Sequence, residues 1–260
     1  MIKLFRGIRK KLFEQSKFTN YLFYAMGEIL LVVIGILIAI QINTWNSNQA
    51  NYRKEKEYLN NLLNDIEIQS KITLDQIAHE KLMRHNCEKA LRNLNSSNPN
   101  PDSLNIFLIA ITRKTFVIHN PTFQDLKSSG NILLIKDNTL RNRILSFYQY
   151  SDYSASVIEI SNLKSISEFR DFMLKESVVN MNYIDTVKVA GGVDWSLNSV
   201  DVTWADDMQI QRLKNREFLF QLLNVVSQRG RTSSVHIDLM SRMDSRIEEI
   251  KADINNYLNN

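Results

Sequence analysis

The sequence contains few of the residues that break helices or cross-link a chain. Its 260 residues include one cysteine, three prolines and seven glycines. The single thiol, Cys87, excludes an intramolecular disulfide, so stability must come from packing. Most simply, Cys87 is a small core residue, and the alternative is that it pairs with the cysteine of another chain. Only four glycines lie beyond residue 45, namely Gly130, Gly191, Gly192 and Gly230. So few breakers over this length favour long helices.

Recognisable catalytic and ligand-binding motifs are also absent. There is no Gly-x-Ser-x-Gly, no glycine-rich phosphate loop, no HExxH and no CxxC. Asp75 and His79 are four residues apart, but the four histidines together lack metal-ligand spacing. Lys127-Ser-Ser-Gly130 superficially suggests a serine nucleophile, although a helix-ending turn explains it better. We therefore expect no enzyme, no metal and no cofactor, while noting that a scattered active site leaves no local trace.

The charge is balanced once the N-terminal region is set apart. Residues 1–45 hold six Lys or Arg and two Glu, which leaves 26 residues of each sign in 46–260. A nucleic-acid-binding domain usually shows a basic face. The balance therefore gives no support for nucleic acid as a partner.

One apolar run, from Tyr21 to Ile42, is long enough to cross a bilayer. It contains a single charge, Glu28, and as a helix it would span about 33 Å, against a hydrocarbon core of about 30 Å. Aromatic residues lie near both ends, as expected at the headgroup level. A cleaved signal peptide would be shorter and would end at a small-x-small site, which Ile38-Ala-Ile-Gln-Ile42 lacks. We predict an uncleaved anchor over 21–45.

The basic residues predict the orientation of this anchor. Residues 1–20 contain six Lys or Arg and one Glu, whereas the first charge beyond the run is Arg53. The positive-inside rule then predicts a cytoplasmic tail over 1–20 and an extracytoplasmic domain over 46–260, in the inner (cytoplasmic) membrane. The lipid bilayer is thus an expected partner. Residues 2–14 form either an interfacial amphipathic helix or an unstructured tail.

Glu28, Gly35 and Ala39 share one face of the predicted anchor helix. Gly35-x-x-x-Ala39 is a small-xxx-small pair, which lets two helix backbones approach closely. This face either contacts a protein partner or forms a homodimer. Alternatively, the helix is placed so that Glu28 lies near the cytoplasmic interface, where its charge costs less than at mid-bilayer.

Two stretches resemble a known family. YLFYAMGEILLVVIGILIAIQINTWN, residues 21–46, has an order of polar and apolar residues that is unusual for a generic anchor. FQDLKSSGNILLI, residues 123–135, is the second stretch. Both resemble uncharacterised bacterial single-pass membrane proteins defined only as a domain of unknown function. The resemblance implies a membrane anchor and a helical extracytoplasmic part, and it supplies no activity or catalytic residues.

Apolar periodicity and capping residues predict the helices of the N-terminal half and centre. A three-four spacing predicts one long helix over about 50–94, which could continue the anchor. Asp102 is the predicted cap of a helix over about 103–114, and Thr122 of one over 123–128 that ends at Gly130. Asp137 is predicted to open a long helix that reaches about residue 177.

The C-terminal part ends in the clearest periodic pattern of the chain. Residues 187–193 form either a short hairpin about Gly191-Gly192 or a loop, and helix resumes over about 205–226. We predict a turn over 227–234 and then a last helix. Its apolar residues follow heptad spacing, which is typical of a coiled-coil seam that packs either on the first long helix or on another chain: Met240, Met243, Ile247, Ile250 and Ile254.

These patterns together predict an all-α protein, with a single N-terminal transmembrane helix and an elongated extracytoplasmic bundle containing long helices. The function they favour is an interaction or scaffold protein that holds a partner near the membrane. Two alternatives stay open. One is an extracytoplasmic ligand-sensing domain that signals through a partner protein, and the other is an enzyme without a recognisable motif.

Overall fold

A computed structural model describes residues 18–176, 178, 187–188, 194–195 and 203–259, and nearly all of them are helical. This confirms the all-α fold class. The chain divides into two compact units, residues 1–57 and residues 58–260. In the first unit, every described residue is helical, and residues 29–54 are all exposed. The predicted basic tail lies almost entirely outside the described residues.

The first helix, α1, runs unbroken from Phe18 to Leu94 over 77 residues. No glycine or proline lies between Ile36 and Asn98, so nothing in this stretch interrupts the i to i−4 hydrogen bonds. The predicted long helix over about 50–94 is therefore the C-terminal part of a longer one. The helix stops where Asn95-Ser-Ser-Asn-Pro99 begins, as the sequence predicts.

Two short helices follow, and both of their predicted caps were wrong. Helix α2 spans Pro101–Ile109, and its cap is Asn100, whose side chain accepts a hydrogen bond from the Ser103 amide at 2.8 Å. Asp102 lies in the first turn instead, because Pro101 already occupies the first helical position. Helix α2 also ends earlier than predicted.

Helix α3 spans Pro121–Ser128 and has no side-chain cap of its own. The Thr122 amide donates instead to Asp65 of α1 at 2.9 Å. A long-range carboxylate thus replaces the predicted local cap. Gly130 follows with φ 72°, as predicted for the end of this helix, and a 3₁₀ turn spans Asn131–Leu134.

The predicted long helix after Asp137 is present but is interrupted. Asp137 caps helix α4, Asn138–Ser161, by accepting from the Thr139 and Leu140 amides at 2.7 and 3.0 Å. A π-helical turn then spans Asn162–Ile166, and α5 continues over Ser167–Lys175. Periodicity alone could not predict the π turn, because it adds a single residue to a continuing helix.

The C-terminal part differs most from its prediction. Strands β1, Val187–Lys188, and β2, Asp194–Trp195, pair antiparallel, as the hairpin alternative predicts. Helix α6 spans Thr203–Leu213, and α7 runs from Arg216 to Asn259 over 44 residues. The turn predicted over 227–234 is wrong, since those residues are helical and the break lies at Lys214-Asn215.

The second unit contains two hydrophobic cores. One combines residues 59–77 of α1 with α3, α4 and residues 240–254 of α7. The other combines residues 83–94 of α1 with α2, α5 and residues 218–226 of α7. Between these ranges, both α1 and α7 place polar side chains on their buried faces.

Candidate functional site

Helices α1 and α7 pack against each other along buried seams of heptad spacing. Lys251 Nζ lies 2.9 Å from Glu67 Oε2, while a Cβ added at Gly230 would lie 3.4 Å from Cys87 Cβ. These contacts make the two helices antiparallel. On α1 the buried seam runs through Leu59, Leu62, Ile66, Gln69, Thr73, Gln76, Glu80, Met83, Cys87, Ala90 and Leu94. On α7 it runs through Leu222, Val226, Arg229, Ser233, His236, Met240, Met243, Ile247, Ile250 and Ile254.

Four side chains form a polar layer where the two seams meet between the cores: Glu80, Arg229, Ser233 and His236. Each is 0% exposed. Glu80 Oε2 lies 3.2 Å from an Arg229 guanidinium nitrogen and accepts a hydrogen bond from Ser233 Oγ at 2.7 Å. His236 Nδ1 lies 3.0 Å from the other carboxylate oxygen. Glu80 is therefore the hub of the layer.

The layer keeps Glu80 ionised. Burial alone would raise the pKa of this carboxyl, but the His236 hydrogen bond and the Arg229 charge outweigh burial and lower the pKa to about 2. A buried carboxylate is stable only when it is paired and hydrogen-bonded, and this one has four partners, since Gln76 Nε2 also lies 3.5 Å from Glu80 Oε1. Ser233 and His236 both contact Glu80 rather than each other, which is not the arrangement of a nucleophile and its base.

Burial also shifts the pKa values of two residues near the layer, His79 and Cys87. It lowers the pKa of His79, and the Arg229 and Lys114 charges act in the same direction. Burial raises the pKa of the Cys87 thiol to about 11. Both groups are therefore uncharged at neutral pH, and Cys87 is a buried, unreactive core residue, as predicted.

Arg229 of the polar layer and two side chains outside the layer hold a non-helical segment, residues 111–120, which we call the strap. Arg229 donates to the Thr112 carbonyl at 3.0 Å. Asn162, in the π turn, donates to the Lys114 carbonyl at 3.0 Å. Gln69 of α1 accepts from the His119 amide at 2.7 Å. These bonds satisfy carbonyl and amide groups of the strap, which has no helical hydrogen bonds of its own.

The strap runs antiparallel along α1 in a nearly extended form. The Thr112 amide lies 3.1 Å from Met83 Sδ, and the His119 amide bonds to Gln69. Fourteen residues of helix rise about 21 Å. Seven strap residues cover that distance at about 3 Å each, close to the reach of an extended chain. Side-chain exposure alternates accordingly, with Phe116 buried and Thr115 and Val117 exposed.

A second polar cluster fixes the end of the strap. Asp65, on α1, accepts from the Thr122 amide and lies 3.5 Å from His119 Nε2. Nearby, the ring of Phe123 stacks on that of Tyr148, with centroids 4.0 Å apart. At the point where the strap leads into α3, the Thr122 amide and the Phe123 ring are therefore both held in place.

The stretch 123–135, which carried part of the family resemblance, forms a clamp on α1. Tyr58 donates to Asp125 at 2.6 Å and accepts from Asn131 at 2.9 Å. Ser128 and Ser129 donate to the Asp125 carbonyl at 3.3 and 2.7 Å. The Lys-Ser-Ser-Gly sequence is thus part of a helix-ending turn.

The two groups of predicted site residues belong to different units of the chain. Gly35 and Ala39 are exposed on α1, and a Cβ added at Gly35 would meet no heavy atom within 4 Å. Glu28, on the same helix, is half-buried. The five residues of the α7 seam, from Met240 to Ile254, are buried in the first hydrophobic core beside α1. Within the described residues, no three His, Cys, Asp or Glu side chains form a metal-binding group.

Sequence reasoning missed the polar layer because its α7 residues resemble a turn. Ser227 to Ser234 contains three serines and a glycine, which together predict a break in the helix. A signal was nevertheless present, since Arg229, Ser233 and His236 continue the heptad spacing of Met240 and Met243 towards the N-terminus. Polar residues at seam positions of a long helix indicate a buried network.

The family is established by a match over residues 28–188 to the model described as a family of unknown function, DUF6090. The chain belongs to this family. The matched range includes most of α1, the strap, the clamp and the π turn. No curated protein and no solved structure matches the chain.

Proposed function

We propose that this DUF6090 chain is a bacterial single-pass inner-membrane protein whose helical domain, residues 46–260, is an extracytoplasmic interaction scaffold. The observation that carries the proposal is the composition of α1. Among the described residues, α1 is the one helix that is long and apolar enough to cross a membrane, and its most apolar 18-residue stretch is entirely exposed. Buried core helices do not share that property, since their apolar faces are covered. Farther along the same helix, the seam is buried in the cores.

A scaffold role also agrees with the chemistry of the polar layer. Glu80, Ser233 and His236 are reactive residue types, but all three are 0% exposed and are bound within the layer. Substrate could not reach them without unfolding of the α1–α7 contact. The layer therefore supports a structural role, and we propose that the protein is not an enzyme.

The orientation and the membrane contact belong to the same proposal. The excess of Lys and Arg in residues 1–20 supports a cytoplasmic N-terminus. The exposed Gly35 and Ala39 support a helix–helix contact in the bilayer, with Glu28 on the same face. Gly35→Ile should lower the yield of cross-linked dimer or complex in membranes, and an unchanged yield would remove this contact from the proposal.

Cross-linking in native membranes tests the scaffold role. Full-length tagged protein is cross-linked in its own cells, purified and analysed by mass spectrometry, with an unrelated tagged single-pass protein as the control. We expect a second protein at near-stoichiometric yield that the control does not capture. Recovery of the chain only with itself would contradict the scaffold function.

A ligand-sensing domain is the second candidate, and one groove favours it. An open groove of about 620 Å³ lies between α6 and α7. Arg212, whose guanidinium lies 5.1 Å from the centroid of the Phe218 ring, lines it together with Asp207. A small molecule that raises the melting temperature of the full chain, but not that of Phe218→Ala, would support sensing. No shift for any compound of a broad metabolite set would contradict it.

A further inference from the structure

A second open groove lies between α7 and the helical segment formed by the π turn and α5. Its volume is about 550 Å³, within the range of about 300–1,000 Å³ that is usual for small-molecule sites. The floor is apolar, since Phe169 is buried and Phe172 and Val225 are half-buried. The walls carry polar side chains from both helices: Ser165, Glu168, Asn224, Ser227, Gln228 and Arg231. An apolar floor with a few polar groups around it is typical of ligand-binding sites.

The charged side chains of this groove are unpaired. Within the part of the chain that the structure describes, the side chains of Glu168 and Arg231 form no hydrogen bond or ion pair, with each other or with any other group. In the groove between α6 and α7, by contrast, Arg212 is paired with Glu176. Two opposite charges that face one groove without neutralising each other are both available to a ligand. The π turn at one wall is itself a feature that occurs frequently at functional sites.

Helices α5 and α7 run antiparallel on the two sides of this groove. Near one end, the rings of Phe172 and Phe218 stack with their centroids 6.3 Å apart. Near the other end, Asn162 and Arg229 donate to strap carbonyls that are only two residues apart in the chain. The sequence therefore ascends from 162 to 172 along one wall while it descends from 229 to 218 along the other.

This arrangement orders the chemical groups along the groove. Residues three or four positions apart lie on one face of a helix, so the α5 wall presents Ser165, Glu168 and Phe172 in sequence order. The α7 wall runs from Arg231 to Asn224 in the same direction. Arg231 therefore lies at one end, Phe172 at the other, and Glu168 between them.

We propose that this groove binds a free α-amino acid with an apolar side chain. The guanidinium of Arg231 binds the carboxylate, because its planar donors match a carboxylate bidentately. The carboxylate of Glu168 accepts charge-assisted hydrogen bonds from the ammonium group, and the side chain of the ligand packs on the Phe172 ring. An amino acid carries an anion, a cation and an apolar group in the order that the groove presents their partners. The site goes beyond the scaffold function, does not depend on it, and is distinct from the groove between α6 and α7.

Isothermal titration calorimetry of the full chain in detergent tests the site. The probes are L-phenylalanine, L-leucine, L-isoleucine, L-valine and L-methionine, and the tightest of them is then compared with its amide and its N-acetyl derivative. The amide lacks the anion and the N-acetyl derivative lacks the cation. Each derivative should bind about tenfold or more weakly than the free amino acid, because each loses the hydrogen bonds of one charged group.

Two variants assign the two charges. Arg231→Gln should bind the amino acid and its amide about equally while still discriminating against the N-acetyl derivative, and Glu168→Gln should show the reverse. Arg242→Gln on α7 and Asp171→Asn on α5 are the matched controls, since both residues are exposed and neither lines the groove. Both controls should bind like the wild type, and circular dichroism should show that all four variants keep their helices.

Three results would overturn the site. The first is that none of the five amino acids binds at millimolar concentration. The second is that Arg231→Gln and Glu168→Gln discriminate among the three forms of the ligand as the wild type does. The third is loss of binding in Asp207→Asn but not in Arg231→Gln, because Asp207 lines the groove between α6 and α7. Capture of a partner protein in membranes bears on the scaffold function alone and leaves each of these results unchanged.

Discussion

At the scale of single residues, Glu80 connects the parts of the second unit. Its carboxylate contacts Arg229, Ser233 and His236, and Arg229 in turn holds the strap at Thr112. Sequence alone identified none of these residues as partners. Nothing local distinguishes Glu80 from the other acidic residues of α1. Only the packing of α7 against it makes the charge buried and paired.

Removing the cation of the layer, Arg229, should lower the free energy of unfolding of the protein. Arg229→Met leaves Glu80 buried without its counter-charge, and such a break costs about 3–5 kcal/mol. We expect a clear drop in the unfolding midpoint of the full chain in detergent, measured by chemical denaturation. Lys251→Met is the control, since it removes an ion pair with Glu67 at the surface, and it should change the midpoint little.

The double variant Glu80→Leu with Arg229→Met separates pairing from packing. Because both charges are then absent, it should be more stable than Arg229→Met alone. If the single and double variants were equally destabilised, the unpaired charge of Glu80 would not be the cause of the lost stability.

The depressed pKa of Glu80 predicts the direction of the acid response. The folded value is about 2 and the ordinary value is 4.5, so Glu80 contributes stability above the ordinary value. That contribution is lost as the pH falls from about 4.5 towards 2. We expect the denaturation midpoint of the wild type to fall more steeply across this window than that of Glu80→Gln. Parallel curves would contradict the assigned pairing.

At the scale of elements, the sequence predicted the helices better than their ends. Apolar spacing identified α1, α4 and the C-terminal half of α7, because a periodic stripe reflects the burial of one helix face. The caps of α2 and α3 and the turn over 227–234 were wrong. For α3 and for the turn, contacts distant in sequence are formed instead, namely Asp65 with the Thr122 amide and Glu80 with Ser233. For α2 the difference is local, because Asn100 caps the helix and Pro101 occupies its first position.

Two glycines should respond oppositely to alanine. Gly230 lies inside α7, where an added Cβ would make an ordinary contact with Cys87 at 3.4 Å. Gly230→Ala should therefore stabilise the protein by up to about 1 kcal/mol through helix propensity. Gly130 has φ +72°, so Gly130→Ala should destabilise it by about 1–2 kcal/mol.

Thermal unfolding of both glycine variants, side by side with the wild type, measures these changes. Destabilisation by Gly230→Ala comparable to that by Gly130→Ala would indicate that residues 227–234 form a turn after all.

At the scale of the whole molecule, composition and periodicity supplied the fold class. They could not supply the strap or the polar layer. The strap is extended, and its alternation covers only residues 112–117, too few to separate from a loop. Its position against α1 depends on Gln69, Met83, Asn162 and Arg229, which lie on three different elements. The helical domain thus holds a short non-helical segment in place with its own side chains.

The central claim is that an uncleaved apolar helix anchors this folded helical domain in a membrane. Alkaline carbonate extraction of cells that express the full chain, tagged at its C-terminus, tests it most directly, with mass spectrometry of the tagged product. We predict that the intact 260-residue chain stays in the membrane pellet. A soluble product that lacks the apolar run would contradict the account, because the run would then be a cleaved signal sequence.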